Sequence, residues 1–407
     1  MYKKIELKNP ERWSKGSEKL TKETLEKAAE FALNKLRVNA EKFGDSMVTA
    51  INGWNNYNPK SFSHNCYNPS TRVTWKTGIW TGLYWLAYQY SGDEFFKNVA
   101  ESYMKHFLDE VNYPERLDDH DTGFKFLPSC VAAYKVTGED KYKEAALKAA
   151  DILYDHCCHV NNFIIRVGDG TDKYHFEDYR TLVDSMMNIP LFFWATEVTG
   201  DRKYQDMAVG HYRTSAKYLI REDGSSYHHY QFDPKTKEPL YGVTHQGNGD
   251  ESCWTRGHAW LVYGYPNAYK YTKDSEVLDF AKAVSFYFMD KLPEDGIPYW
   301  DTDFEFPSFE PRDASASAIV SCGILEMCKY LPDSSEDKKL LRNAAEIMIE
   351  AIIDKCICDK EYTDAIITHV TNSVPHNEEI DSCETFGDYF FFEALVRLLK
   401  PEIKFCW

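Results

Sequence analysis

One short phrase recurs along the chain and restricts how it can fold. It reads YSGDEFF at 90–96, VTGEDKY at 136–142 and VTGDRKY at 198–204, and weaker copies begin at 271 and 331. Each copy follows an apolar segment and precedes an amphipathic one. Because glycine often ends a helix and Asp, Ser or Thr often starts one, we interpret each copy as the turn of a helical hairpin. Repetition of the phrase indicates a repeat architecture.

The hairpins divide the chain into two sets of predicted helices. One-sided, amphipathic helices are predicted at 21–43, 93–111, 139–158, 201–221, 274–291 and 335–354. More apolar helices are predicted at 76–90, 122–137, 185–199, 252–272, 314–331 and 386–400. Helices that are apolar on most sides belong inside and one-sided helices outside. We therefore predict an all-α fold, an (α/α)6 barrel of six hairpins, although an open solenoid would use the same hairpins. No Gly/Ser/Pro-rich linker divides the chain, so 1–407 is interpreted as a single catalytic domain.

The links between successive hairpins are long. They cover 44–75, 112–121, 159–184, 222–251, 292–313 and 355–385, and small β-hairpins are predicted within two of them, at 163–170 and 225–247. Loops of this length usually carry function. In a ring of hairpins, all six links would gather over the N-terminal ends of the inner helices. We expect the functional site at that mouth.

Composition excludes several classes of partner. The net charge of −17 argues against nucleic acid and against an anionic membrane surface. No apolar run is long enough to span a bilayer, and the first residues lack the apolar core of a secretory signal. The eleven cysteines are odd in number and show no paired zinc-type spacing. We expect reduced thiols, a cytoplasmic protein, and neither a metal nor another cofactor.

The segment 241–264, YGVTHQGNGDESCWTRGHAWLVYG, changes from a polar loop to a helix rich in rings. Arg256 and Trp260 are four residues apart and would share a helix face, which suits a flat anionic ring held by the guanidinium and stacked on the indole. Gly257 costs helix stability, so it indicates a close approach to the backbone. The alternative is a core tryptophan beside an unrelated surface arginine.

Polar and aromatic side chains mark the starts of the inner helices. They are Trp54, Trp75, Trp80, His120, Asp121, Asp184, His228, Gln246, Arg256, Trp260, Arg312, Asp313, Glu384 and Asp388. An acid in such a place often serves only as a helix cap, which favours its ionised form. A catalytic acid must instead be kept protonated by burial or by a second carboxylate. If Asp121 and Asp184 face each other across the mouth, they form the pair of carboxyls that cleaves a glycosidic bond.

Five segments together resemble a known family. HQGNGDESCWTRGHAWLVYG, WKTGIWTGLYWLAY, DHDTGF, LVDSMMNIPLFFWA and GDYFFFEAL resemble the unsaturated glucuronyl hydrolases of glycoside hydrolase family 88, over about Trp75 to Leu395. The resemblance implies an (α/α)6 barrel and no metal. It also implies degradation of polysaccharides such as glycosaminoglycans, through substrates that carry a Δ4,5-unsaturated uronic acid at the non-reducing end of oligosaccharides made by lyases.

The resemblance also implies a mechanism and a set of residues. An acid protonates C4 of the vinyl ether, water is directed to C5, and the resulting hemiketal opens and releases the glycosidic bond. By position, Asp184 matches the acid/base and Asp121 the second carboxylate. The residues that match or adjoin the substrate-binding positions are His120, Trp75, Trp80, His228, Gln246, Arg256, Trp260, Ser373 and His376.

One segment departs from the family pattern. In the family that this chain resembles, some members that accept sulfated glycosaminoglycan fragments have a Ser-x-x-Ser-x-Lys pattern before the last helix. This chain has Ser373, His376 and Glu378 at the three named positions of that pattern. A carboxylate there would repel a sulfate. His376 could bind a hydroxyl, or it could be an ordinary exposed histidine.

Three alternatives remain open. An unsaturated rhamnogalacturonyl hydrolase would share the barrel and the chemistry but act on pectin fragments; the long 222–251 link and the HQG segment favour the glucuronyl branch. An ordinary inverting glycosidase would need no double bond. A non-catalytic carbohydrate-binding helical ring would need the rings at the mouth but not two facing acids.

Overall fold

The computed structural model describes residues 5–50, 66–166, 179–358 and 363–407. The expected mouth residue Trp54 lies outside these ranges. Within them, the long helices are α1 Lys22–Phe43, α2 Trp75–Ser91, α3 Glu94–Glu110, α4 122–137, α5 Asp140–Asp155, α6 Pro190–Thr199, α7 Arg202–Tyr218, α8 Thr255–Thr272, α9 Ser275–Lys291, α10 Ala314–Cys328, α11 Glu336–Lys355 and α12 Thr385–Leu399. Helix α4 contains a π-helical turn at Leu127–Val131, and a 3₁₀ segment, Val183–Met187, precedes α6.

The even-numbered helices form a closed inner ring. Each of α2, α4, α6, α8 and α10 packs against the next even-numbered helix, and α12 packs back against α2. Each outer helix packs against an inner partner, and the sixth pair joins the first helix, α1, to the last, α12. The predicted (α/α)6 barrel is therefore confirmed, because an open solenoid would lack the contact between α12 and α2.

The repeated phrase forms the turns of the hairpins, as predicted. Gly92, Gly138 and Gly200 each end an inner helix with φ of 72°, 73° and 76°. These are left-handed values that glycine adopts without steric cost. At the starts of the outer helices α3 and α7, the side chains of Asp93 and Asp201 accept hydrogen bonds from backbone N–H groups of the first turn. Local chemistry therefore fixes both ends of these hairpin turns.

Short strands occupy the links. Met47–Ala50 (β1) pairs with Tyr67–Ser70 (β2), and Cys157–Cys158 (β3) pairs with Phe163–Ile164 (β4). Arg180–Leu182 (β5), His229–Phe232 (β6) and Pro239–Val243 (β7) form a three-stranded antiparallel sheet. The hairpin predicted at 225–247 is thus confirmed as β6–β7. The hairpin predicted at 163–170 is wrong in its pairing, since β4 pairs with the preceding β3, and 167–170 lie outside the described residues.

The structure also describes the environment of the cysteines and the apolarity of the helices. All eleven cysteines are buried. Among the residues that the structure describes, no helix combines the length and the apolarity that crossing a bilayer requires.

Close approach of the inner helices at Gly323 gives a test of the ring. A Cβ atom at this position would lie 2.6 Å from the carbonyl oxygen of Val262 and 2.6 Å from Cα of Tyr263. Since backbone cannot move aside as a side chain can, Gly323→Ala should lower the free energy of unfolding by about 1–3 kcal/mol. Thermal unfolding followed by circular dichroism checks this. Gly249→Ala is the control, because nothing lies within 4 Å of the place its methyl group would take, and equal melting of the two variants would contradict the packing.

Candidate active site

A cavity of about 400 Å³ opens at the mouth where the inner helices begin. Among the described residues, every long link except 292–313 contributes to its wall, and the expected gathering of the links is observed. The predicted site residues that line it are Trp75, His120, Asp121, Asp184, His228, Gln246, Arg256, Trp260, Ser373 and His376.

Trp80 is the exception and requires a correction. It follows Trp75 by five residues on α2, so it projects from a different face of that helix. Its side chain is fully buried and packs edge-to-face on Tyr67 and Tyr84, with ring centroids 5.5 and 5.3 Å away. Trp80 is therefore a core residue, and its assignment to substrate binding is wrong.

The acids at the starts of the inner helices do not act as caps. Asp121, Asp313 and Glu384 occupy the position before α4, α10 and α12, yet none of their side chains accepts a capping hydrogen bond from the helix backbone. The corresponding acids of the outer helices, such as Asp93, do. The capping alternative is therefore rejected for these acids, whose side chains are left to interact with other groups.

Asp184 has the environment of a proton donor. It lies in the 3₁₀ segment before α6, and its Oδ1 is shielded from solvent without a hydrogen-bond partner among the described residues. Desolvation raises its pKa to about 7; His120 and Arg256 oppose this shift, and Asp121 adds to it. A carboxyl with this pKa can hold a proton near neutral pH and can also lose one.

Asp121 lies in the same cavity and close enough to interact with Asp184. Desolvation raises the pKa of Asp121, the neighbouring His120 and Lys125 lower it, and Asp119 raises it. The two carboxyls thus influence each other, as the sequence led us to expect, within one cavity lined by rings.

Arg256 is bound by the protein itself. Its guanidinium pairs with the buried Asp313 at 3.0 Å and donates to the backbone carbonyl groups of Thr371 and Asn372. It lies over the ring of Trp254, 4.6 Å from the centroid. These contacts hold the segment before α12 in place and fix the guanidinium where it lines the cavity. The predicted grip on a ligand carboxylate stays a prediction.

The indole beside the guanidinium is that of Trp254, whereas the expected neighbour Trp260 lines the same cavity through other contacts. Trp260 packs against Phe124 and Phe390, with centroids 5.1 and 5.3 Å away, and presents only part of its indole to the cavity. The close approach predicted at Gly257 is real, and its partner is the indole of Trp254, which would lie 2.3 Å from a Cβ there.

His228 supplies a neutral donor. Its Nδ1 lies 3.3 Å from the backbone nitrogens of His245 and Gln246, so Nδ1 accepts from these N–H groups and the proton resides on Nε2. Nε2 is buried and has no partner among the described residues. Desolvation holds the pKa of His228 well below its usual range. A buried N–H without a partner is suited to an oxygen of a ligand.

The segment before α12 forms one rim of the mouth. The Oγ of Ser373 and Nδ1 of His376 are 2.7 Å apart, and the His376 ring lies 4.2 Å from that of His245. Gln246 donates to the carbonyl of Asn372 at 3.0 Å. His376 is exposed, as an ordinary loop histidine would be, and it also lines the cavity, where it could bind a hydroxyl group.

Several lining residues escaped sequence reasoning. They are Lys76, Phe124, Arg166, Leu182, His229, His245, Trp254 and Asn372. Some adjoin predicted residues in sequence, and Trp254 lies within the ring-rich segment 241–264. Lys76 pairs with the buried Glu384, whose pKa desolvation raises to about 7 against the effect of that lysine. The sequence signal that could have identified these lining residues is their position next to a predicted residue of the mouth.

The fold and the site together define a class of protein. Two interacting carboxyls, both of raised pKa, lie in a concave mouth with aromatic rings and neutral hydrogen-bond donors. This combination is the equipment of a glycosidase that works by proton transfer.

Comparison with known proteins gives the family. The model of Glycosyl Hydrolase Family 88 matches residues 47–355. An unsaturated chondroitin disaccharide hydrolase of Streptococcus pneumoniae is 40% identical over 405 residues, which are 98% of each chain. The crystal structure of unsaturated glucuronyl hydrolase from Streptococcus agalactiae matches with a TM-score of 0.92 at 38% identity, over 100% of this chain and 99% of that one. A mutant of that enzyme complexed with dGlcA-GalNAc6S matches with a TM-score of 0.84 at 36% identity, over 100% of each chain. The chain belongs to glycosyl hydrolase family 88 and is a glycosidase of the unsaturated glucuronyl hydrolase type.

Proposed function

We propose that this enzyme removes the unsaturated uronic acid from glycosaminoglycan-derived disaccharides by hydrating the C4=C5 bond, with Asp184 as the acid and base. The observation that carries this proposal is the shielded carboxyl of Asp184, whose pKa desolvation raises to about 7. Asp184 gives its proton to C4, and the ring oxygen stabilises the positive charge at C5. Water then bonds to C5 and returns a proton to the carboxylate. The hemiketal opens, and the aglycone leaves.

The other residues bind and orient the sugar in this proposal. Trp75 stacks on the saccharide at the mouth, and its own ring is fixed by Phe386, 5.0 Å away. His228 donates from Nε2 to a uronate oxygen. Gln246 and Trp260 complete that wall, and Arg256 contributes positive potential to it from its buried position. Asp121 holds sugar hydroxyls and adjusts the charge beside Asp184.

One experiment separates this function from its alternatives. Lyase-made unsaturated disaccharides are incubated with the enzyme, and the ultraviolet absorbance of the conjugated double bond is followed beside a saturated analogue. Loss of absorbance with the unsaturated substrate alone supports hydration. Turnover of the saturated analogue would favour an ordinary glycosidase, and binding without turnover would favour a non-catalytic ring. Faster turnover of unsaturated rhamnogalacturonan fragments would favour the pectin branch.

The aglycone is proposed to be unsulfated or weakly sulfated. Glu378 lines the cavity as an exposed carboxylate, beside His376 and Ser373. A sulfate at this rim would meet a negative charge where sulfate-accepting relatives are expected to carry a lysine.

Glu378→Lys should therefore shift the preference toward a sulfated disaccharide, by roughly fivefold in the ratio of kcat/KM values, as one reversed charge contact is typically worth about 1 kcal/mol near a surface. Steady-state kinetics on matched sulfated and unsulfated disaccharides measure this ratio. Glu402→Lys is the control, because it makes the same change in net charge beyond α12, at the far end of the barrel. An equal shift in both variants would point to overall charge rather than to the rim.

We also propose that 1–407 acts as one catalytic domain in the cytoplasm. Among the described residues, one large apolar cluster contains side chains from Trp13 to Trp407, which supports one folding unit. The eleven cysteines, odd in number and all buried, support a reducing compartment.

A further inference from the structure

His120 has a tautomer that the backbone dictates. Its Nδ1 lies 2.9 Å from the carbonyl oxygen of Arg166, and its backbone N–H reaches the same oxygen at 3.2 Å. A carbonyl oxygen only accepts hydrogen bonds, so Nδ1 must carry a proton. The other ring nitrogen, Nε2, is therefore either a bare lone pair or the second N–H of an imidazolium.

Nε2 of His120 faces a carboxylate. It lies 3.3 Å from Oδ1 of Asp121, and both side chains are mostly shielded from solvent. If the imidazole were neutral and the carboxyl ionised, two lone pairs would face each other at this distance. One proton between them removes that repulsion, whether it is drawn on the nitrogen or on the oxygen.

We propose that His120 and Asp121 hold one proton in common and act as a unit that sets the charge beside Asp184, with His120 as a positioning residue that works through Asp121. This inference rests on the proposed function and deepens it. The unit carries no net charge when the proton is present, as an ion pair or as a neutral pair. Asp184 therefore has a dipole beside it rather than a full negative charge.

The balance matters because Asp184 must both give and take a proton in one turnover. His120 lowers the pKa of Asp184 and Asp121 raises it, so the two effects oppose each other. The other charged groups that act on the pair or on Asp184 are Asp119, Lys125, Arg166 and Arg256. Lys125 binds Asp119 at 2.6 Å, which leaves His120, at 3.3 Å, as the ion-pair partner that the described residues offer to Asp121.

The pH profile of kcat tests the unit. His120→Asn places an amide that can still donate to the Arg166 carbonyl but removes Nε2, so the unmatched charge of Asp121 should move the alkaline limb up by about one pH unit. Asp121→Asn should leave that limb close to its wild-type position, because a neutral imidazole beside an amide also carries no net charge, and the double variant should return to that position. A limb that stays in place in His120→Asn, with only KM raised, would overturn the proposal and leave His120 as a simple ligand contact.

A second measurement does not depend on turnover. In enzyme labelled with ¹⁵N-histidine, the His120 signals, assigned through His120→Gln, should show a protonated Nδ1 and a proton-sharing Nε2 that becomes a bare ring nitrogen in Asp121→Asn. A bare Nε2 already in the wild type near pH 7 would contradict the shared proton. Failure of the proposed function would appear differently, as wild-type enzyme that leaves the unsaturated disaccharide unchanged.

Discussion

Asp184→Asn should lower kcat on an unsaturated disaccharide by about 10³-fold or more while leaving substrate affinity within a few-fold, because the amide keeps the shape but cannot transfer a proton. The reduction should reach the upper part of the range for general acid–base catalysis, since the same carboxyl serves both proton transfers in the proposed mechanism. Absorbance decay gives the rate, and calorimetry with the inactive variant gives the affinity. Residual kcat above a tenth of wild type would move the catalytic role to another group.

Asp388→Asn is the matched control for this substitution. Desolvation raises the pKa of Asp388 to about 7 as well, yet its carboxyl accepts from the backbone N–H groups of Ile366 and Ile367 and from the hydroxyl of Tyr67. The residue lies outside the cavity wall, within the core. Its amide variant should lose stability and keep kcat in the folded fraction. A raised pKa alone therefore does not select the catalytic acid; access to the cavity does.

The pH dependence follows from the same carboxyl. Because Asp184 must be protonated to begin the reaction, kcat/KM should be full below its pKa of about 7 and should fall as the pH rises through that value. This descending limb belongs to Asp184 and should report the same group in every variant that keeps it.

The parts of the fold that sequence predicted are those fixed locally. The turns at Gly92, Gly138 and Gly200 need only their own residues, so the helices they separate were predicted to within about one turn. Closure of the ring depends on contact between α2 and α12, which no local pattern contains, and it entered as an inference from the number of hairpins.

In the site, too, features fixed by local sequence were predictable and features fixed by distant contacts were not. Trp75, Asp121 and Arg256, near the starts of inner helices, line the cavity, whereas Trp80, further along α2, lies in the core. The predicted residues at the starts of α10 and α12 do not line it: Arg312, Asp313, Glu384 and Asp388. The contacts that fix Arg256 could not be predicted from its own segment. Its partners Asp313 and Thr371 are 57 and 115 residues away in sequence, so the contacts that occupy the guanidinium are invisible in the segment that contains it.

Loss of the buried contacts of Arg256 should have the second large effect, on the stability of the enzyme. Arg256→Met should destabilise the enzyme by about 3–5 kcal/mol, because it leaves the carboxylate of Asp313 buried without its cation. Asp313→Asn should cost a comparable amount for the converse reason. The double variant should be more stable than the sum of the two losses predicts, since no buried charge is left alone. Denaturant unfolding of the four proteins measures the coupling.

Activity distinguishes a positioning role from a direct grip on the substrate. If Arg256 acts by holding the carbonyl groups of Thr371 and Asn372, Asp313→Asn should raise KM, because the guanidinium loses its fixed orientation and the rim that carries Ser373 and His376 loosens with it. If Arg256 instead gripped the uronate, releasing it from Asp313 would strengthen binding and lower KM. Arg312→Met is the control: Arg312 pairs with Asp295 at 2.9 Å next to Asp313 in sequence but outside the cavity wall, so its loss should reduce stability without changing KM. A rise in KM in Asp313→Asn alone would therefore place the effect of this ion pair in the geometry of the rim.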